Sequence, residues 1–183
     1  MFIGRNIEDD PFEDYHREYR SVCNTTDEYR STLDYIFLHH PEIREYLLTL
    51  NDVVDLGAGR GGSAKIIAKV CPNAFITAVD DVTPLFEETI RDVGADRIVQ
   101  IISSARTFLR LSEKEFDGFF MFRSHPDLLR YDDIPLLASK LKKGGLFVRI
   151  APEGTRPYPF ERLFEPVYVT EDPFSPREIW KKK

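Results

Sequence analysis

Cysteine is scarce in this sequence, with only Cys23 and Cys71 among 183 residues. Two cysteines cannot form the disulfide network that stabilises many small secreted domains. The spacing of the cysteines and the four histidines also matches no zinc-site pattern. We therefore expect a fold without disulfides or a metal site, and this cysteine usage favours a cytoplasmic protein.

Long apolar runs are lacking as well. No stretch approaches the ~20 apolar residues that a membrane-spanning helix needs. The first ten residues, MFIGRNIEDD, have neither the basic nor the apolar region of a signal peptide. The length and the 42% hydrophobic content instead fit one globular domain without a membrane partner.

Basic residues are few at the beginning of the chain. The first 50 residues hold 11 acidic and 5 basic residues, so the whole net charge of −6 belongs to this segment. A solvated helical surface accounts for this acidity. Because phosphate is repelled by acidic surfaces, the segment does not indicate a nucleic-acid clamp.

The ten glycines are unevenly placed, because four of them lie at positions 57, 59, 61 and 62. They follow an apolar run, Val53–Leu56, and precede Ser63–Val70, which has apolar residues at helical spacing. The pattern predicts a buried parallel strand, a glycine turn and an α-helix. Glycine permits the sharp turn and the close approach of a ligand, and the helix N-terminus offers unpaired N–H groups.

Two kinds of nucleotide site use such a turn. Gly57, Gly59 and Gly62 match the dinucleotide fingerprint G-x-G-x-x-G. Asp55-x-Gly57-x-Gly59-x-Gly61 also resembles motif I of class I S-adenosylmethionine (SAM)-dependent methyltransferases. A carboxylate beside the turn repels pyrophosphate but attracts the sulfonium and ammonium groups of SAM, so Asp55 favours SAM.

The rest of the chain alternates strands and helices. The predicted strands after the turn are Phe75–Val79, Ile98–Ile102, Phe116–Phe122, Leu146–Ile150, Val167–Thr170 and Glu178–Lys182. Helices are predicted from Thr83-Pro84 to near Gly94, and from Asp132 or Asp133 to Lys143. Before the turn, three helices are predicted to begin at Asp10, Thr25 and Pro41.

The Leu141–Gly145 segment and the strand-rich C-terminal region also resemble the methyltransferase family. The resemblance implies an α/β fold, a three-layer sandwich with a mostly parallel, seven-stranded Rossmann-like methyltransferase sheet in residues 51–183. Residues 1–50 would then be an N-terminal helical extension that covers the cofactor and shapes the acceptor pocket.

The resemblance implies SAM as the cofactor and a site at the carboxyl ends of the strands. Asp80 ends the second predicted strand, where an acid can accept hydrogen bonds from ribose hydroxyls. Ser104 follows the third predicted strand, where the family often places a polar residue against adenine, although the usual aspartate is absent. The complete set of expected cofactor-binding residues is Asp55, Gly57, Ala58, Gly59, Gly61, Asp80, Asp81, Ser104 and Ala105.

Arg123 and His125 follow the fourth predicted strand, where this fold presents its acceptor-side chemistry. Histidine can remove a proton near neutral pH, and arginine can orient an anionic acceptor. We take both as candidate catalytic residues. The alternative is an ordinary loop histidine before a proline.

The sequence therefore predicts a SAM-dependent methyltransferase whose acceptor and oligomeric state are not encoded in any motif. A small-molecule acceptor is favoured, since neither a target-recognition domain nor a basic groove is evident, and nucleic acid stays open. Two other functions fit less well. One is a non-catalytic SAM-binding module that acts through a protein partner, and the other is an NAD(P)-binding oxidoreductase.

Overall fold

The computed structural model of the chain describes residues 33–34, 36–81, 84–122, 128–150, 160–170 and 177–183. One sheet contains β1 (Asp52–Leu56), β2 (Phe75–Asp80), β3 (Ile98–Ile102), β4 (Phe116–Phe122), β5 (Leu141–Ile150), β6 (Phe164–Val169) and β7 (Arg177–Lys182). The helices are α1 (Pro41–Leu47), α2 (Gly62–Val70), α3 (Glu87–Val93), α4 (Ala105–Leu111) and α5 (Ile134–Ser139). Residues 33–34 and 36–39 are also helical.

The strand order of the sheet is β3-β2-β1-β4-β5-β7-β6. Strands β1 to β5 are parallel to one another, whereas β7 is antiparallel to both β5 and β6. This arrangement confirms the predicted α/β fold with a mostly parallel, seven-stranded sheet. The chain leaves β1 towards β2 and β3 and later returns to β4 and β5, so the strand order reverses beside β1. In such sheets ligands bind at the reversal, along the carboxyl edge where β1 to β5 end.

Two apolar cores cover the two faces of the sheet, because successive residues of a strand point to opposite sides. Val53 and Val148 belong to one core, together with Ile67 of α2, and we call this side the α2 face. Val54 and Phe147 belong to the other core, which we call the α4 face. The α4 face also buries Phe108, Leu137, Phe160, Phe164 and Trp180.

The described part of the helical extension packs into the core of the α2 face. Leu33 and Ile36 are buried there. Helix α1 begins with Pro41 as predicted and buries Ile43 and Leu47. The predicted helix from Asp10 and the start of the next at Thr25 lie outside the described residues.

Two predicted helix boundaries were wrong. The helix predicted to reach Lys143 ends at Ser139, and β5 begins at Leu141, because Leu141 pairs with Phe116 of β4 across an irregularity in the ladder. Helix α3 begins at Glu87 rather than at Thr83-Pro84. Its N-cap residue, Phe86, donates its backbone N–H to the Arg60 carbonyl, which joins it to the glycine turn.

Helix α4 was not predicted. Its N-cap is Ser104, whose Oγ accepts a hydrogen bond from the Thr107 backbone N–H at 3.2 Å. Phe108 and Leu109 then anchor the helix on the α4 face.

Candidate functional site

The turn between β1 and α2 contains three glycines in left-handed backbone conformations. Gly57, Gly59 and Gly61 have φ angles of 74°, 51° and 98°. The N–H groups of Gly57 and Ala58 both donate to the Val79 carbonyl, at 2.8 and 3.1 Å. The turn is thereby tied to β2 at the carboxyl edge of the sheet.

These glycines serve different purposes. A Cβ at Gly61 would lie 2.9 Å from Leu85 Cδ2 and closer still to the Thr89 side chain, so this glycine permits α3 to pack against the turn. A Cβ at Gly59 would meet no heavy atom within 4 Å. Gly59 therefore faces open space, as a position beside a ligand should.

Asp55 lies near the end of β1 and is fully buried. Its Oδ2 accepts a hydrogen bond of 2.6 Å from the Ser63 hydroxyl of α2, whereas Oδ1 has no hydrogen-bond partner. Burial is the main cause that raises the pKa of Asp55 from 3.8 to about 7, the Ser63 hydrogen bond opposes this, and the nearby Asp80 charge adds to it. Sequence reasoning missed Ser63, whose only local signal is its place in the first turn of the helix.

Asp55 should make stability depend on pH. Because its folded pKa of about 7 lies above its ordinary value of 3.8, the folded state binds the proton more tightly than the unfolded state. The contribution of Asp55 to the free energy of unfolding should be fully present below about pH 4, fall as pH rises towards about 7, and then level off. The fall is at most about 4 kcal/mol, since each tenfold change in proton affinity corresponds to about 1.4 kcal/mol.

Urea unfolding of the native chain and of Asp55→Asn, at about pH 5 and about pH 8, measures this contribution. Asp55→Asn should lose the part of the pH dependence that Asp55 contributes, because an amide does not titrate in this range. Asp132→Asn, a change at an exposed acid, should keep it. If the free energy of unfolding changed by the same amount between these two pH values in the native chain and in Asp55→Asn, the role of Asp55 would be contradicted.

Asp80 ends β2 beside the turn, and its Oδ2 accepts a hydrogen bond of 2.9 Å from the Gly59 N–H. This bond brings the second predicted acid to the open side of the turn. Asp81 is exposed at the same edge. The structure therefore places Asp55, Gly59 and Asp80 around one turn.

The predicted adenine-contacting residues lie at the end of the neighbouring strand β3. The Ser103 N–H donates to the Asp80 carbonyl at 3.0 Å, which joins the two strand ends. The Ser104 hydroxyl is occupied in capping α4 and also donates to Thr107 Oγ1 at 2.9 Å. Ala105 has its methyl group buried in the core, so only its backbone could face a ligand.

Arg60 and Phe86 form a further pair beside the turn, which sequence reasoning missed. The Arg60 guanidinium carbon lies 4.7 Å from the centre of the Phe86 ring, and that residue is 48% exposed. The Arg60 carbonyl accepts hydrogen bonds from the Phe86 N–H and from Thr89 Oγ1. Nothing in the local sequence indicates that residues 26 apart would meet.

The candidate catalytic residues Arg123 and His125 lie outside the described residues. Within the part that is described, no group of three histidine, cysteine or acidic side chains could hold a metal ion. No described helix is both long and apolar enough to cross a membrane.

Several solved structures that resemble the chain are described as methyltransferases. One is yhhF from Escherichia coli, described as a candidate methyltransferase, with a TM-score of 0.65 and 15% sequence identity over 86% of this chain and 85% of that one. The chain has the class I methyltransferase fold. Its parallel strands, its glycine turn after β1 and its antiparallel β7 are the features that the resemblance led us to expect.

Two further methyltransferase structures show the same architecture at similarly low sequence identity. The ribosomal protein L11 methylase from Lactobacillus delbrueckii subsp. bulgaricus has a TM-score of 0.55 and 20% identity, covering 73% of this chain and 71% of that one. The N-methyltransferase NodS from Bradyrhizobium japonicum has a TM-score of 0.52 and 12% identity, covering 79% and 94%. No protein-family model and no curated protein sequence matches the chain.

Proposed function

We propose that this protein is a SAM-dependent methyltransferase whose cofactor crosses the turn between β1 and α2. The observation that carries the proposal is the buried Asp55 carboxylate, which has one oxygen without a hydrogen-bond partner beside a glycine turn. A buried carboxylate is costly unless a cation or hydrogen-bond donors compensate it. SAM has two cationic groups, whereas the pyrophosphate of NAD(P) would be repelled.

The residues present fit this cofactor. The space beyond Gly59 is open, so a ligand can approach the turn without meeting a side chain. Asp80 accepts the Gly59 N–H, and because a carboxylate offers about four acceptor sites it can also accept ribose hydroxyls. We further propose that Asp81 lies beside the ribose and that the Ser104–Ala105 backbone borders the adenine.

When bound, SAM would supply a methyl group on sulfonium, which is already a good leaving group. The chain then has mainly to position the acceptor and exclude water. We propose that Arg123 orients the acceptor and His125 removes its proton, and that residues 1–50 cover the site. Similar structures include an rRNA methylase and a methylase of a ribosomal protein, so the fold does not determine the acceptor. We retain a small molecule as our proposal.

The sheet order weighs against the NAD(P)-binding oxidoreductase. Dinucleotide domains commonly have the order 3-2-1-4-5-6, whereas here an antiparallel β7 lies between β5 and β6. The same evidence for the cofactor applies to a non-catalytic SAM-binding module. Such a module would bind SAM but would not transfer its methyl group.

Isothermal titration calorimetry with SAM, its demethylated product S-adenosylhomocysteine (SAH) and NAD tests the cofactor. We expect binding of SAM and SAH and none of NAD. Micromolar NAD binding without a response to SAM would overturn the proposal. A screen of methyl acceptors with labelled SAM then separates an enzyme from a binding module, since only the enzyme releases SAH in step with a methylated acceptor.

A further inference from the structure

We propose that Arg177 binds an anionic group, a carboxylate or a phosphate, on a small methyl acceptor. The inference rests on the proposed methyltransferase function and specifies its substrate class. Arg177 is the first residue of β7 and pairs with Ile150, the last residue of β5. Ile150 in turn pairs with Phe122, the last residue of β4. Arg177 therefore begins at the carboxyl edge, level with the strand ends on the acceptor side.

Strand alternation fixes the side of the sheet from which the arginine projects. Arg177 and Ile179 are two residues apart on β7, so they share a face, and Ile179 belongs to the core of the α2 face. This is the face that carries α2, whose N-terminus follows the glycine turn. Three strand-to-strand steps separate β1 from β7, roughly 14 Å at the usual spacing. A small acceptor held by Arg177 would thus lie along the same edge as the proposed cofactor.

The backbone of Arg177 is fixed, but no acid in the described part of the chain compensates its guanidinium. Its N–H donates to Thr170 Oγ1, and its carbonyl accepts the Thr170 N–H, both at 3.0 Å. The side chain is half-buried, and its Nε is buried without a hydrogen-bond partner. Among the residues that the structure describes, no carboxylate forms an ion pair with it.

The contrast with the neighbouring arginine is informative. Arg149, one position from the end of β5, points to the α4 face and forms a 2.7 Å ion pair with Glu178. Arg149 and Arg177 thus lie near the same edge on opposite faces, and in the described ranges the buried arginine has an acid partner whereas the half-buried one has none. Charges removed from water are normally paired, so Arg177 is suited to an anion that arrives from outside.

The chemistry of the guanidinium defines the anion. Nε–H and one terminal N–H form a planar fork that matches two oxygens of a carboxylate or a phosphate. The uncompensated Nε is the inner donor of that fork. Arg177 could bind the anionic group of an acceptor at β7. A nucleophile a few bonds from that group would then lie towards the end of β4.

NMR of the full chain labelled at arginine with ¹⁵N follows the Nε–H resonance of Arg177 directly. The resonance is assigned by its absence from Arg177→Gln. Inorganic phosphate and benzoate are titrated separately, with and without SAH. We expect a saturable shift of this resonance in the native chain and, by calorimetry, at least about tenfold weaker binding of the anion by Arg177→Gln. Arg162→Gln, at an exposed arginine near the opposite edge, should bind it as the native chain does.

A shift with phosphate alone assigns a phosphate-bearing acceptor, and a shift with benzoate alone assigns a carboxylate. The absence of a saturable shift with either anion, or parallel shifts of all arginines, would overturn the inference. If Arg177→Gln does not fold, Arg177→Lys replaces it, since lysine keeps the charge but loses the fork. SAH affinity in the same samples tests the cofactor separately, so a protein that binds SAH but no anion loses only this inference.

Discussion

Gly59→Val should abolish SAM and SAH binding while leaving the chain folded. A Cβ at Gly59 enters open space, so the substitution displaces no protein atom, but its methyl groups would occupy the volume we assign to the cofactor. Its φ of 51° is also unfavourable for a β-branched residue, at a cost of about 1–3 kcal/mol in stability. Because the valine side chain would block the ligand, the affinity for SAM and SAH should fall by at least about 100-fold, or 2.7 kcal/mol.

Gly144→Val is the matched control for backbone strain. Gly144 also has a positive φ, 77°, and a Cβ there makes only ordinary contacts, 3.6 Å to Lys181 Cε and 3.7 Å to the Tyr46 hydroxyl. It lies near the start of β5, at the edge opposite the proposed cofactor. Both variants should lose similar stability in thermal unfolding, but only Gly59→Val should lose SAH binding in calorimetry. Unchanged affinity in Gly59→Val would mean that no ligand crosses this turn.

The parts of the fold that were predicted correctly are those that local sequence determines. Both ends of β3 and β4 agree with the prediction, since each is a short apolar run between polar or glycine-containing segments. The β1 turn and α2 were readable because glycines at fixed spacing separate a buried run from a helical pattern. Asp55 was identified for the same reason, as the one acid in that run.

The errors arose where distant contacts decide local structure. Leu141–Gly145 contains two glycines and follows a helical pattern, but pairing with β4 draws it into β5. Helix α4 has only seven residues, and its formation depends on Phe108 and Leu109 reaching the α4 face. The cap that Ser104 forms at the start of this helix was missed with it.

The same limit applies to the site. Ser63 was not linked to Asp55, Arg60 was not linked to Phe86, and Arg177 had no visible function, because each depends on strands and helices that meet only in the folded chain. Sequence reasoning finds the residue types of a motif. The hydrogen bonds that orient them, and the charges left without a partner, require the tertiary structure.

The largest effect on stability should come from the buried ion pair of Arg149 and Glu178. The two side chains are 1% and 0% exposed, and Arg149 Nη1 donates to Glu178 Oε2 at 2.7 Å across the β5–β7 ladder. Burial raises the pKa of Glu178 even though the arginine opposes this effect. The pair therefore lies in surroundings where an isolated carboxylate would be strongly disfavoured.

Arg149→Met should destabilise the fold by about 3–5 kcal/mol at neutral pH, because it leaves Glu178 buried without its cation. The loss should be smaller at low pH, since a protonated glutamate needs no counter-ion, and should grow as pH rises through the raised pKa. Urea unfolding followed by circular dichroism measures both effects. Lys142→Met, which breaks the more exposed Lys142–Asp117 pair, should cost only about 0–1 kcal/mol.

The double variant Arg149→Met/Glu178→Leu separates the worth of the pair from the cost of breaking it. Apolar side chains of similar volume often replace a buried ion pair without loss, so the double variant should recover most of the stability that Arg149→Met loses. Recovery would mean that the pair adds little net stability and that most of the loss in Arg149→Met is the cost of leaving Glu178 buried without its cation. If the double variant is as unstable as Arg149→Met, Arg149 stabilises the fold through packing, and the unpaired charge of Glu178 contributes little to the loss.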